Sequence, residues 1–164
     1  MSRSGVHPPA IHMDRELLAH VAITRLQGRY ADIASQQAWA EMRSIVLADA
    51  TFSFDLGAGD VLTFVGPDEL AAFGARACER FAFYQYIPLN TVVTLTAKNR
   101  ASGRSYALEI GVDKASGEWT EYYGLYHDDY AVDHDEWRFA RRHFQTVARR
   151  GEGRTPTFPP TPPA

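Results

Sequence analysis

Between Glu118 and Val132 the chain places three tyrosines and a carboxylate at every second position: Tyr122, Tyr126, Asp128 and Tyr130, with Gly124 among them. In an extended strand alternate side chains share a face, so these five residues lie together, while Tyr123, Leu125, His127 and Asp129 face the other way. If the first face is interior, Asp128 is a carboxylate in low dielectric. Desolvation then raises its pKa, and tyrosine hydrogen bonds lower it again. Such a group can give or take a proton near neutral pH, worth roughly 10²- to 10⁴-fold in rate. The competing reading is structural: buried carboxylates are commonly paired for stability alone, and Arg142 or a neighbouring tyrosine could hold Asp128 in that way.

Other groups could complete a site. Tyr30 falls on an apolar helical stripe, so its hydroxyl must find an internal partner or reach a pocket. Asp55 ends a strand beside Gly57 and Gly59, where a carboxylate could overhang a pocket mouth or simply close a turn. Tyr86 and Asn90, four apart on one strand, together with Tyr106, could line the pocket as hydrogen-bond donors, although aromatics on a sheet often only pack. Tyr122, Tyr126, Phe54, Trp39 and Phe73 supply candidate apolar walls. The six histidines show no metal-ligand spacing, and Gly57-Ala58-Gly59 lacks the following helix start that a phosphate loop needs. No metal and no cofactor is expected.

The elements that must position these groups are legible. Ile23, Leu26, Tyr30 and Ile33 recur at helical spacing from Asp14 onward, with Arg25, Arg29, Asp32 and Gln36 on the opposite face. A second short helix is expected over residues 38–47, after a break near Ser35 to Gln37. Gly66-Pro67-Asp68-Glu69 starts a third, because proline suits the first turn and acids complement the dipole. Strands are expected over 50–56, 61–65, 86–97, 104–112, 118–132 and 136–148, with turns at Ala101-Ser102-Gly103, Lys114 to Gly117 and Asp133-His134-Asp135. The last four strands make an antiparallel meander. The resulting class is α+β, a curved sheet wrapped around three helices of the N-terminal half.

The 164 residues, 45% apolar and 23% charged, suit one domain. We expect it over residues 14–148, between a flexible segment 1–13 and a disordered proline-rich tail 149–164. A net charge of −3 with no concentrated basic face argues against nucleic acid. The absence of a long apolar run argues against a membrane span. One cysteine, Cys78, and no signal-like start suggest a cytoplasmic protein.

The carriers Tyr30, Asp49 to Phe54, Gly66-Pro67, Gln85-Tyr86 to Asn90, Gly124 to Tyr130 and Trp137-Arg138-Phe139 with Arg142 are similar to those of the nuclear transport factor two-like superfamily, in its SnoaL-like branch. The resemblance covers about Met13 to Arg150. It implies a cone-shaped, cystatin-like α+β barrel whose open end admits a small apolar molecule, and acid/base chemistry without a cofactor, as in ketosteroid isomerase and scytalone dehydratase. It makes Tyr30 similar to the isomerase's oxyanion donor and sets Tyr86 where the dehydratase has a histidine. Ser35 and Ala38 stand where many members carry aspartates, and Asp55 lies one residue off the isomerase's strand aspartate. The Arg104 to Val112 strand lacks the arginine and aspartate of epoxide hydrolase relatives.

The resemblance thus implies a dehydratase-, cyclase- or isomerase-type activity on an aromatic, polyketide-like or steroid-like molecule. Asp128, Tyr30, Tyr86 and Asp55 are the catalytic candidates. A non-catalytic binding or scaffold module, or a subunit of a larger oxygenase, are the alternatives. A homodimer through the outer sheet face, where Trp119 and Tyr123 fall, would cover its apolar side chains.

Overall fold

The computed structural model describes residues 15–57 and 59–150. Helix α1 (Arg15–Gln36) is followed by a 3₁₀ helix (Trp39–Ser44), β1 (Val46–Asp55), β2 (Leu62–Val65), α2 (Gly66–Cys78), β3 (Phe81–Ala97), β4 (Arg100–Asp113), β5 (Trp119–Asp133) and β6 (Glu136–Arg150). The expected flexible segment 1–13 and residues 151–164 of the expected tail lie outside the described residues. Arg149 and Arg150 belong to β6, so the strand runs two residues past the expected boundary.

Strands β3 to β6 form the antiparallel meander that the sequence implies, and β6 then pairs in parallel with β1. With β2 beside β1, the order is β2-β1-β6-β5-β4-β3. The two edge strands do not meet, so the curved sheet stays open. Helix α1 lies in its hollow, burying Ile23, Leu26, Tyr30 and Ile33, each 5% exposed or less. That is the stripe read from the sequence. The helix stops where Gln37 turns left-handed (φ 56°); the Ala38 amide then donates to Ile33 O and the Gln37 amide to Ala34 O, capping the last turn.

Three local expectations change. The turn between β3 and β4 falls at Lys98-Asn99, not at Ala101 to Gly103. Gly103 is small because of what it touches: a Cβ there would lie 2.9 Å from the Tyr130 ring. The second helix is a single 3₁₀ stretch, which lets β1 begin at Val46, and β3 starts at Phe81 instead of Tyr86. A bulge between Pro88 and Asn90 shifts the register of β3 against β4. Past that bulge alternate positions exchange faces, which decides where Asn90 points.

Gly124 sits under the Phe144 ring, where a Cβ would come 2.0 Å from the ring edge. Phe144 is itself 4% exposed and has nowhere to retreat. Gly124→Ala is expected to destabilise the fold by about 1–3 kcal/mol, read from urea unfolding.

Candidate functional site

A cavity of about 290 Å³ opens between α2 and the inner face of the sheet. Its apolar wall is built by Phe54 and Phe73, whose ring centroids lie 4.8 Å apart, with Phe64 stacked on Phe73 at 4.5 Å. Trp39 and Leu70 extend this wall. Gly74 lets the Trp39 ring approach α2, since a Cβ there would lie 2.6 Å from it. Opposite, α1 contributes Tyr30 and Ala34, β5 contributes Tyr122 and Tyr126, and β6 contributes Phe144.

Among the described residues, one carboxylate enters this cavity, that of Glu109 on β4. Tyr84 donates to its Oε2 at 2.8 Å and Tyr126 to its Oε1 at 2.9 Å. The side chain is enclosed by protein, and the surface it keeps is turned to the cavity. Desolvation by burial pushes its pKa above the usual 4.5, against the two phenol hydrogen bonds and the Arg142 charge, which pull it down. Each oxygen holds one tyrosine and retains a lone pair. The arrangement is therefore a fixed base of raised basicity facing an apolar space. Tyr84→Phe removes one of the pulls and is expected to move the Glu109 titration midpoint further up, as followed by carboxyl ¹³C chemical shift.

Asp128 lies on the inner face too, but behind the cavity, and its carboxylate is fully engaged. Arg142 Nε donates to Oδ1 at 2.8 Å and Nη2 to Oδ2 at 2.9 Å. Gln27 Nε2 and the Tyr130 hydroxyl donate to Oδ2 as well, at 2.7 and 2.9 Å. The paired side chains of Asp128 and Arg142 are 0% exposed. The guanidinium is enclosed by the rings of Tyr30, Tyr126 and Phe139, with centroids 4.2 to 4.3 Å away. This cluster ties α1 to β5 and β6, and neither side chain of the ion pair keeps exposed surface.

Residues 15–143 match the family model of the SnoaL-like domain. The chain belongs to the SnoaL-like family. Solved structures agree on the fold. A protein from Novosphingobium aromaticivorans, provisionally named scytalone dehydratase, is 20% identical with a TM-score of 0.73, over 81% of this chain and 87% of that one. The hexachlorocyclohexane dehydrochlorinase LinA-type3 from Novosphingobium barchaimii is 17% identical with a TM-score of 0.72, over 90% and 97%. A nuclear transport factor 2-like superfamily protein from Salmonella enterica is 14% identical with a TM-score of 0.69, over 84% and 97%. Among curated proteins no match was found.

Within this SnoaL-like cone the residues singled out from sequence separate into three groups. Tyr30, Tyr122, Tyr126, Phe54, Trp39 and Phe73 line the cavity. Burial pushes the Tyr30 phenol up to about 12, with the Arg142 charge acting against it. Asp128 and Tyr86 are buried but do not line it: Tyr86 is 4% exposed, wedged between Tyr30 and Tyr126, and its hydroxyl has no partner among the described residues. Asp55, Asn90 and Tyr106 are turned away. Asp55 accepts from the Gly57 amide at 2.8 Å, closing a turn on the face opposite Phe54. Asn90 pairs with Tyr106 on the outer face because of the β3 bulge. Ser35, where relatives are expected to carry aspartate, clips α1 to β3 through the Tyr86 backbone, accepting from its amide at 3.0 Å. His127 and His143 are cross-strand neighbours on the outer face, with ring centroids 6.4 Å apart. Among the described residues no group of three or more potential metal ligands gathers.

Glu109 and Cys78 escaped the sequence reading. A lone glutamate in a strand reads as solvent-facing. The available signal was parity: Ala101, Gly103, Ser105, Ala107 and Gly111, on the same face of β4, are all small, so Glu109 is the one large side chain projecting inward. Cys78 lines the cavity with its thiol raised to about 11 by burial and then by the Glu109 charge. A thiol raised in this way disfavours the thiolate, the nucleophilic form.

Proposed function

We propose that this SnoaL-like protein is a cofactor-independent lyase or isomerase that removes and returns a proton on a small, largely apolar ring compound, with Glu109 as the base. The observation that carries this reading is a carboxylate of raised pKa, oriented by two phenols, in a cavity whose described lining is mainly aromatic and aliphatic, with Arg80 and Arg149 at its wall. Proton abstraction next to a carbonyl or a leaving group needs just such a positioned base, and a conjugate acid that can return the proton. Tyr84 and Tyr126 fix the carboxylate so that little reorganisation accompanies transfer. Elimination and allylic isomerisation share this first step. A dehydratase and a dehydrochlorinase among proteins of the same fold are consistent with it.

A substrate-independent test is available. In D₂O, the α-protons of 1-tetralone, a bicyclic ketone, are expected to exchange faster with the protein than in buffer, as followed by proton NMR. Exchange at the buffer rate, across a panel of cyclic ketones that demonstrably bind, would leave the non-catalytic binding module as the better reading.

A further inference from the structure

Trp39 differs from the other walls of the cavity in where it is anchored. Tyr30, Ala34, Phe54, Leu70, Tyr126 and Phe144 belong to the buried core, each 6% exposed or less. Phe73 is braced by the rings of Phe54 and Phe64. Trp39 is half-buried and packs against that core from the surface. It opens the 3₁₀ turn Trp39–Ser44, whose Ala40 and Glu41 are exposed, so the turn runs along the outside of the molecule.

The indole is seated on α2. A Cβ at Gly74 would lie 2.6 to 2.9 Å from three atoms of its ring. A glycine inside a helix weakens it relative to alanine, and here that glycine is what lets the ring rest on the helix. Gly74 and Cys78, one turn apart on α2, both line the cavity, and the Glu109 charge reaches Cys78. The indole and the carboxylate thus bound one space at different levels of α2. At about 290 Å³ that space is at the lower end of ligand pockets, which run from roughly 300 to 1,000 Å³.

We propose that Trp39 is the specificity-determining residue of the cavity: it limits the ligand to a body of two fused rings, and a third ring meets the indole. Removing the indole extends the space toward the surface turn that carries it. Removing a core wall such as Phe54 or Phe144 instead takes away packing that holds the sheet. Apolar association normally strengthens with the area buried, so a preference for the smaller of two ring systems marks a wall. This inference rests on the reading of the cavity as the substrate site and names the size class of its substrate.

The test is equilibrium dialysis of 1-tetralone and of its linear and angular benzo-fused three-ring homologues. The wild-type protein is expected to bind 1-tetralone at least tenfold more tightly than either homologue. Trp39→Ala is expected to raise the affinity for at least one homologue tenfold or more, and Trp39→Phe to raise it by a smaller factor, with folding checked by circular dichroism. Three-ring homologues that bind the wild-type protein as tightly as 1-tetralone overturn the proposal. So does continued exclusion of both by a folded Trp39→Ala, or by a folded Trp39→Phe where the alanine variant does not fold, and so does an absence of binding by all three ketones. The same ketones in the D₂O exchange assay separate the two readings. If the size limit depends on Trp39 while no bound ketone exchanges faster than in buffer, the base is misassigned and the size limit stands. If 1-tetralone exchange depends on Glu109 while the homologues bind equally well, the reverse holds.

Discussion

Glu109→Gln is expected to lower catalysed proton exchange by about 10²- to 10⁴-fold, the usual contribution of a positioned acid or base, without loss of the fold. The amide keeps the shape and one acceptor oxygen for Tyr84 or Tyr126 but cannot take a proton. Wild-type exchange should rise with pH as Glu109 ionises and level off above its midpoint. Burial raises that midpoint, so the rising limb falls above 4.5, the usual value for a glutamate. Stability moves in the opposite sense. The folded state holds this proton more tightly than the unfolded chain does, so the stabilisation from protonated Glu109 is fully present below 4.5 and is lost as pH climbs through the raised midpoint. The Gln variant lacks this loss. Relative to wild type it should gain stability with rising pH across that window, read from urea unfolding at a series of pH values.

Removing one partner of the Asp128–Arg142 pair should be the most destabilising change in the molecule. Arg142→Met leaves a fully buried carboxylate with only Gln27 and Tyr130 as donors, and Asp128→Ala leaves a buried guanidinium among three aromatic rings. Either change is expected to cost about 3–5 kcal/mol, because an uncompensated charge remains in a space that water does not reach. Replacing both, as Asp128→Leu with Arg142→Met, should cost less than either alone, since no orphaned charge is left. Chemical denaturation of the three variants checks this. A loss of exchange activity in Asp128→Asn at unchanged stability would instead return Asp128 to the catalytic role that its tyrosine-rich face suggests.

Asp128 shows how far sequence reading reaches. Alternation along β5 sets Tyr122, Tyr126, Asp128 and Tyr130 on one face, because period two is a property of the backbone itself, and the structure turns that face inward. What alternation does not contain is depth along the cone. Asp128 and Glu109 share the interior, yet one lies among Gln27, Arg142 and Tyr130 while the other meets open space. That difference comes from which residues of β4, β5 and β6 stand side by side, and hence from register. Asn90 makes the same point: four residues from Tyr86, it would share its face in a regular strand, and one bulge turns it outward. The helices were easier, since Ile23, Leu26 and Ile33 at helical spacing, and Gly66-Pro67 at the start of α2, act through local geometry. Small residues misled where packing set their size, as at Gly103 beneath Tyr130.

The central claim is that the working carboxylate is Glu109, and the most direct measurement is its own titration. In protein with ¹³C-labelled glutamate carboxyls, the resonance missing from Glu109→Gln identifies the group. Its midpoint is expected above 4.5 and coincident with the midpoint of the pH–exchange profile. A midpoint at or below 4.5, or an exchange profile that ignores it, would contradict the assignment.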